Sequence, residues 1–160
     1  MADLNGRSST ERQLVVFRLA NDIYGVDIHA VREIIRMQEI TQVPNAAEFI
    51  EGVINLRGKI CPVMDLRKRF DVGVSDTTAE SRVVVVEIAG EDVGMMVDAV
   101  TEVLRVSADR ISPPANVVTG GESRVVEGIA NLDDRLIILI DLERILTGDA
   151  IEETMLAAAA

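Results

Sequence analysis

The sequence predicts a mainly β protein of two similar lobes, each a small five-stranded barrel, and three observations lead there. The first is an internal duplication: EGVINLRGKICPVMDLRKRF, Glu51 to Phe70, returns 76 positions later without a gap as EGIANLDDRLIILIDLERIL, Glu127 to Leu146. The second is composition. Hydrophobic residues make up 48% but aromatics only 2%, so Val, Ile, Leu and Met must fill the core, and β-branched side chains pack best on a pleated surface. The third is segment length: the apolar runs are short and bounded by turn residues, and closing short strands into a barrel removes the edges that would recruit other chains. A long unit present only twice is no solenoid. At 160 residues the chain is long enough for one domain, or for two lobes that lean on each other because neither buries enough surface alone.

Each element follows from local pattern. Residues 1–12 are polar and without periodicity, which predicts a disordered lead-in. Gln13–Leu19 and Ile23–Asp27 are strand-type runs flanking an Asn21-Asp22 turn, a hairpin. Ile28-His29-Ala30 reads as a short turn. Val31–Met37 fits strand or helix on spacing alone, and its counterpart in the second copy favours strand. That copy opens with Val83–Ile88, a Gly90-Glu91-Asp92 turn and Val93–Val97, and Asp98–Leu104 then matches His29–Ile35 in character. Val83–Val86 and Leu136–Ile140 lack polar alternation and are expected to be buried on both faces, one filling the lobe's own barrel and the other meeting its neighbour. Proline loops follow in both copies, Pro44 in the first and Pro113-Pro114 with Thr119-Gly120-Gly121 in the second. The polar stretch Asp71–Ser81 is the expected connector between lobe 1 (13–30 with 31–70) and lobe 2 (82–146) of a single 13–146 domain. Residues 147–160 read as a tail or frayed helix.

Charge and cysteine usage exclude several classes. A formal charge of −11 argues against nucleic acid, whose affinity rests on clustered Lys and Arg. The single basic run, Arg67-Lys68-Arg69, reads as a solvated face. One cysteine, Cys61, forms no internal disulfide, and no apolar run approaches the ~20 residues of a membrane helix. A soluble, intracellular protein is expected.

Catalytic groups are scarce. One His and one Cys do not make a transition-metal site. A Cys61/His29 nucleophile pair is disfavoured because Cys61 lies inside a strand, where a buried thiol is inert. No glycine pattern fits phosphate binding. The recurring carboxylates Asp65 and Asp141 sit where a last strand hands over to a helical turn, and an Asp there caps exposed N–H groups. Neither enzyme chemistry nor a cofactor is supported, and a protein-binding adaptor is the simplest reading. A small-molecule-binding module that uses the groove between lobes is the alternative.

Certain spaced residues then carry a resemblance. Tyr24-Gly25-Val26-Asp27-Ile28, Val31-Arg32-Glu33-Ile34, Ile40-Thr41 with Val43-Pro44, Gly52–Gly58, Pro62-Val63 and Asp65-Leu66-Arg67 resemble the bacterial CheW family of chemotaxis coupling proteins, as do Val97-Asp98, Val100 and Glu102-Val103-Leu104. The resemblance implies two SH3-like barrels around a shared interior. It also implies a non-enzymatic scaffold between the cytoplasmic tip of chemoreceptors and the regulatory domain of the chemotaxis histidine kinase, cytoplasmic but gathered at membrane receptor arrays. An isolated kinase regulatory domain, similar in fold, is a second possibility. Carried over position by position, Gly52, Arg57, Arg82, Val100 and Val103 would face the receptor, and Val31 and Glu33 the kinase.

Helix-in-groove recognition needs an apolar trough with a few fixed polar groups. Val100 and Val103 suit the trough, although ordinary core packing would use them equally. Arg57 suits the fixed group, because its planar fork grips carboxylates and carbonyls bidentately. Glu33 is expected to hold Arg57, which stands at a tip where the second copy has Asp133-Asp134 instead.

Overall fold

The computed structural model describes residues 11–44, 50–70, 72–73, 76–113 and 125–146, with 151, 154, 156 and 158. In the first copy, β1 (Glu11–Leu19), β2 (Asp22–Asp27) and β3 (Val31–Arg36) precede β4 (Ile50–Leu56), β5 (Lys59–Asp65) and the helical turn α1 (Leu66–Arg69). In the second, β6 (Arg82–Ile88), β7 (Glu91–Val97) and β8 (Ala99–Ser107) precede the short β9 (Ile111–Ser112), β10 (Val126–Leu132), β11 (Arg135–Ile140) and the helical turn α2 (Leu142–Ile145). A single 3₁₀ turn, Ile28–Ala30, separates β2 from β3. Glu11 and Arg12 belong to β1, so order begins before the expected lead-in ends.

The chain is divided between the lobes differently from the sequence expectation. One sheet runs β8-β1-β2-β11-β10-β9 and the other β3-β6-β7-β5-β4. The second sheet is therefore built entirely from the continuous stretch 31–97, and the first from the chain before and after it. Asp71–Ser81 does not join the lobes, because α1 before it and β6 after it serve the same sheet. The crossings are the Ile28–Ala30 turn and Asp98, the one residue between β7 and β8. A local sequence pattern reveals strands but not which nonlocal partner each selects. Here β1 pairs with β8 across the full width of the chain, from Glu11↔Ser107 to Arg18↔Ala99, and β6 takes β3, from Val31↔Val86 to Arg36↔Arg82.

Strand alternation distributes the core into three parts. Leu14 and Val16 of β1 face a small cluster with Val106, Ala130, Ile137 and Leu139 inside the first lobe. Val83 and Val85 of β6 face a second cluster with Ile54, Leu56, Cys61, Val63 and Met96 inside the other. The intervening residues, Val15, Phe17 and Leu19 on β1 and Val84, Val86 and Ile88 on β6, meet in one larger cluster fed by both sheets. Runs buried on both faces are accounted for in this way, with one correction: Leu136 in β11 is 54% exposed.

Both sheets are rolled, as two ion pairs reveal. Glu33 on the end strand β3 is hydrogen-bonded to Arg57 in the β4–β5 turn at the far end of the same sheet. In the other lobe Glu102 on the end strand β8 takes Arg135 Nη1 from the start of β11 at 2.5 Å.

The Asp65 and Asp141 side chains accept from the backbone N–H of Arg67 (3.0 Å) and Glu143 (3.1 Å), as capping requires. The end of the chain contributes more than a frayed tail would, because Ile151 is helical and buried in the shared cluster. The Thr119-Gly120-Gly121 loop lies outside the described residues.

Candidate functional site

The β4–β5 hairpin tip is the best-defined polar feature of the expected binding surface. Arg57 and Gly58 form a two-residue turn with φ of 53° and 83°, the left-handed pair that a tight hairpin needs. Asn55 Oδ1 accepts from Gly58 N at 2.8 Å and steadies it. An arginine at a left-handed position is locally unfavourable, but Ala20 and Ala89 take the same conformation at φ of 55° and 53°, so what sets this tip apart is the side chain it carries. That side chain is 71% exposed, while both of its terminal nitrogens donate to the Glu33 carboxylate, Nη1 at 3.0 Å. The hydrogen bond from Arg57 holds the Glu33 carboxyl below its ordinary range, and Glu33 in turn raises the Arg57 guanidinium. The expected pair is thus present, and Arg57 is held through its terminal nitrogens while its side chain stays largely open to solvent.

A depression of ≈ 680 Å³ adjoins the tip, lined by Arg32, Arg57, Lys59, Ile60, Cys61 and Asp92 among others. Its polar edge is a second ion-pair set: Arg32 bonds Glu87 (2.8 Å) and Asp92 (3.3 Å). At its floor Cys61 is buried, with Sγ near the carbonyls of Pro62 (3.6 Å) and Asp92 (3.5 Å). Burial, with the charge of Asp92 in support, pushes the thiol up to about 11, the reverse of what a nucleophile needs. His29 is exposed and occupied with Asp27, Nδ1 to Oδ1 at 2.9 Å. The two groups serve separate local structures. Among the described residues no cluster of three or more His, Cys, Asp or Glu is poised for a metal ion.

The other expected site residues fall into three kinds. Val103 is 51% exposed on β8, whereas Val100 and Val31 are half-buried against the shared core. Arg82, at the start of β6, turns back on its own chain, where Nη1 donates to the carbonyls of Ala79 and Ser81, both at 2.8 Å. Gly52 is buried at a bulge in β4. A Cβ there would lie 2.1 Å from Thr41 O and 2.8 Å from Ile40 Cγ2. Its role in this chain is to let β4 and Thr41 approach, and Gly128 repeats it beside Ser112 O.

Three features were missed at the level of sequence. Arg67 is not on a solvated face: it is 5% exposed and held by Asp65 (3.1 Å) and Asp98 (3.0 Å). The exposed apolar residues Ile34 and Ile60 in one lobe have exposed counterparts Val103 and Leu136 in the other, related by the same offsets as the repeat, 69 and 76. Finally, the tips differ less than Arg57-Gly58 against Asp133-Asp134 suggests, because Arg135, two residues along, supplies the second lobe with its own arginine for Glu102. Register between the two repeats would have disclosed the last two features. The first needed the fold.

The CheW-like domain model matches residues 13–150. The chain belongs to the CheW-like family. Its relatives include the chemotaxis protein CheW of Klebsiella aerogenes, 33% identical over 138 residues, covering 86% of this chain and 83% of that protein. The probable chemotaxis protein CheW of Rhizobium etli is 34% identical over 137 residues and covers 86% and 88%. Among solved structures, the scaffolding protein TtCheW of Thermoanaerobacter tengcongensis superposes with a TM-score of 0.80 at 45% identity, over 87% of this chain and 94% of that one. Family membership accounts for the two-sheet architecture. The Glu33–Arg57 pair lies inside the span matched by the CheW-like model.

Proposed function

We propose that this chain is a non-enzymatic adaptor that couples the cytoplasmic tips of chemoreceptors to the chemotaxis histidine kinase, so that receptor state controls kinase activity. The reading is supported by its CheW-like family, by relatives named chemotaxis proteins and by a close structural neighbour described as a scaffold. The observation that carries it is the Arg57 tip: an exposed cation on a hairpin turn, oriented by the Glu33 carboxylate to which both of its terminal nitrogens donate. A bidentate arginine adds orientation as well as attraction, which suits a fixed polar anchor beside an apolar helix. Val103, exposed on β8, and the half-buried Val100 on the same strand supply apolar surface, Gly52 keeps β4 against Thr41, and Arg82 holds the loop before β6; together with Arg57 they form the receptor-facing set. Val31 and Glu33 on the end strand β3 form the kinase-facing set.

The net charge of −11 disfavours nucleic-acid partners, and among the described residues no helix is long and apolar enough to cross a membrane. The site of action under this reading is the cytoplasmic face of receptor arrays, with no cofactor. Co-sedimentation with receptor-bearing membranes tests it directly. The protein is expected to pellet with receptor and to carry the kinase down, and Arg57→Ala is expected to pellet less while melting at nearly the same temperature. Failure to pellet with either partner overturns the proposal.

A further inference from the structure

The two lobes meet mainly through aliphatic side chains, with Phe17, Tyr24 and Phe70 as the aromatic members of the shared cluster. Apolar burial is strong but non-directional, so it holds the lobes together without specifying one angle between them. Among the described residues, several directional bonds between the lobes gather around the Asp98 crossing from β7 to β8, with the longer Arg18–Glu80 ion pair (3.7 Å) beside it. Asp98 Oδ1 accepts from Arg67 Nη1 at 3.0 Å and Oδ2 from Ala20 N at 2.7 Å, while its own N–H donates to Arg18 O at 3.0 Å. Arg67 belongs to α1 of one lobe, and Arg18 and Ala20 to the β1–β2 hairpin of the other. Two residues on, Arg69 Nε donates to Ile145 O of α2 at 3.0 Å, a second tie from the same helical turn to the opposite lobe.

Arg67, Asp65 and Asp98 are all buried, at 5, 2 and 7% exposure. Removing such charges from water is costly, and a buried ion pair frequently adds little net stability compared with apolar residues of the same size. What it does supply is geometry, since a charged fork bonds well in a narrow range of positions. We propose that the Asp65–Arg67–Asp98 cluster fixes the angle between the two lobes, with Arg67 as its central positioning residue. The cluster sits on a one-residue crossing, where a small backbone rotation would turn one lobe against the other. For an adaptor, and this consequence rests on the function proposed above, a fixed angle keeps surfaces on different lobes in a constant relation, so that occupancy of one is felt at the other.

The test needs no partner, so it stands apart from the adaptor reading. Spin labels are placed at Glu91→Cys in one lobe and Arg105→Cys in the other, both exposed; the buried Cys61 thiol stays unlabelled in the folded protein. Pulsed dipolar spectroscopy then reads the distance between lobes in the full chain, with Arg67 intact, with Arg67→Met, and with Asp98→Asn, which keeps side-chain shape and an acceptor for Ala20 N. A narrow distribution in the parent is expected to become about twofold broader or to shift to a new maximum in both variants, as for a released hinge, with β content unchanged by circular dichroism. Should Arg67→Met fail to fold, Asp98→Asn decides by the same criterion. An unchanged distribution in the folded variants, or loss of the fold in both, overturns the proposal, because the cluster then either does not set the angle or simply holds the fold together.

Discussion

Replacing Gly52 with alanine separates a packing role from a contact role at a position expected to face the receptor. The added Cβ would lie 2.1 Å from the carbonyl oxygen of Thr41, a backbone atom that cannot swing aside, and the residue has φ of +154°, which favours glycine. Strain of this kind costs about 1–3 kcal/mol. Relief requires Thr41 to move, which breaks the reciprocal main-chain bonds Thr41 N to Val53 O (2.9 Å) and Val53 N to Thr41 O (2.8 Å), worth about 1 kcal/mol each. The combined loss is about 3–5 kcal/mol, and for a domain of this size that lowers Tm by roughly 10 °C. Urea denaturation followed by circular dichroism, at an unchanged m-value, supplies the free energy, and calorimetry the Tm. Gly58→Ala is the control, because a Cβ there meets nothing within 4 Å and only the positive φ is strained. A Gly52→Ala protein as stable as the parent, but deficient in receptor binding, would refute the packing argument and make Gly52 a contact residue.

Further outcomes follow from the ionisable groups and the tip. The Cys61 thiol, raised to about 11 by burial, favours the folded state fully below its unfolded value and loses that contribution as pH rises through the folded one. Between roughly pH 9 and pH 11 the parent is expected to lose stability faster than Cys61→Ala, and equal slopes in urea melts would contradict the burial of the thiol. At neutral pH the same thiol is expected to react with a disulfide reagent only once the protein is unfolded. The Glu33 carboxyl, lowered by Arg57, contributes above its unfolded value and loses that contribution as pH falls through its folded value; its NMR titration midpoint is expected to rise toward that of a free glutamate in Arg57→Ala. Arg57→Asn places a residue tolerant of the left-handed turn at the tip and is expected to be at least as stable as the parent while binding receptor less well.

The strand list was legible because alternation and turn residues are local signals. Val83–Val86, without a polar break, told correctly of burial on both faces, and the 76-residue repeat told of two lobes. The partition of the chain was not legible. β1 pairs with β8 and β3 with β6, and such pairings are set by which apolar faces can be buried together, not by proximity in sequence. For that reason Asp71–Ser81 looked like the connector between lobes, whereas Asp98, an unremarkable acid after a valine, is one of the two real crossings. Arg67 was misread for the same cause: its partners Asp65 and Asp98 are 2 and 31 positions away, and only the fold brings the distant one to it. The Glu33–Arg57 pair was more readable than the partition. Glu33 and Arg57 are 24 positions apart, yet the rolled sheet joins them as expected. Arg135 shows the limit of that reading, because the second lobe keeps the arginine–glutamate latch with the arginine displaced by two residues, and the contrast between the tips is one of exposure, 71% against 34%.

The adaptor reading is tested most directly by reconstitution of kinase, receptor membranes and this chain, with kinase autophosphorylation as the readout. The account predicts that receptor ligand changes the kinase rate only when the chain is present, and that Arg57→Ala weakens this control without altering the rate of the kinase alone. A kinase that answers receptor ligand equally well without the chain, or ignores ligand in its presence, would contradict the account.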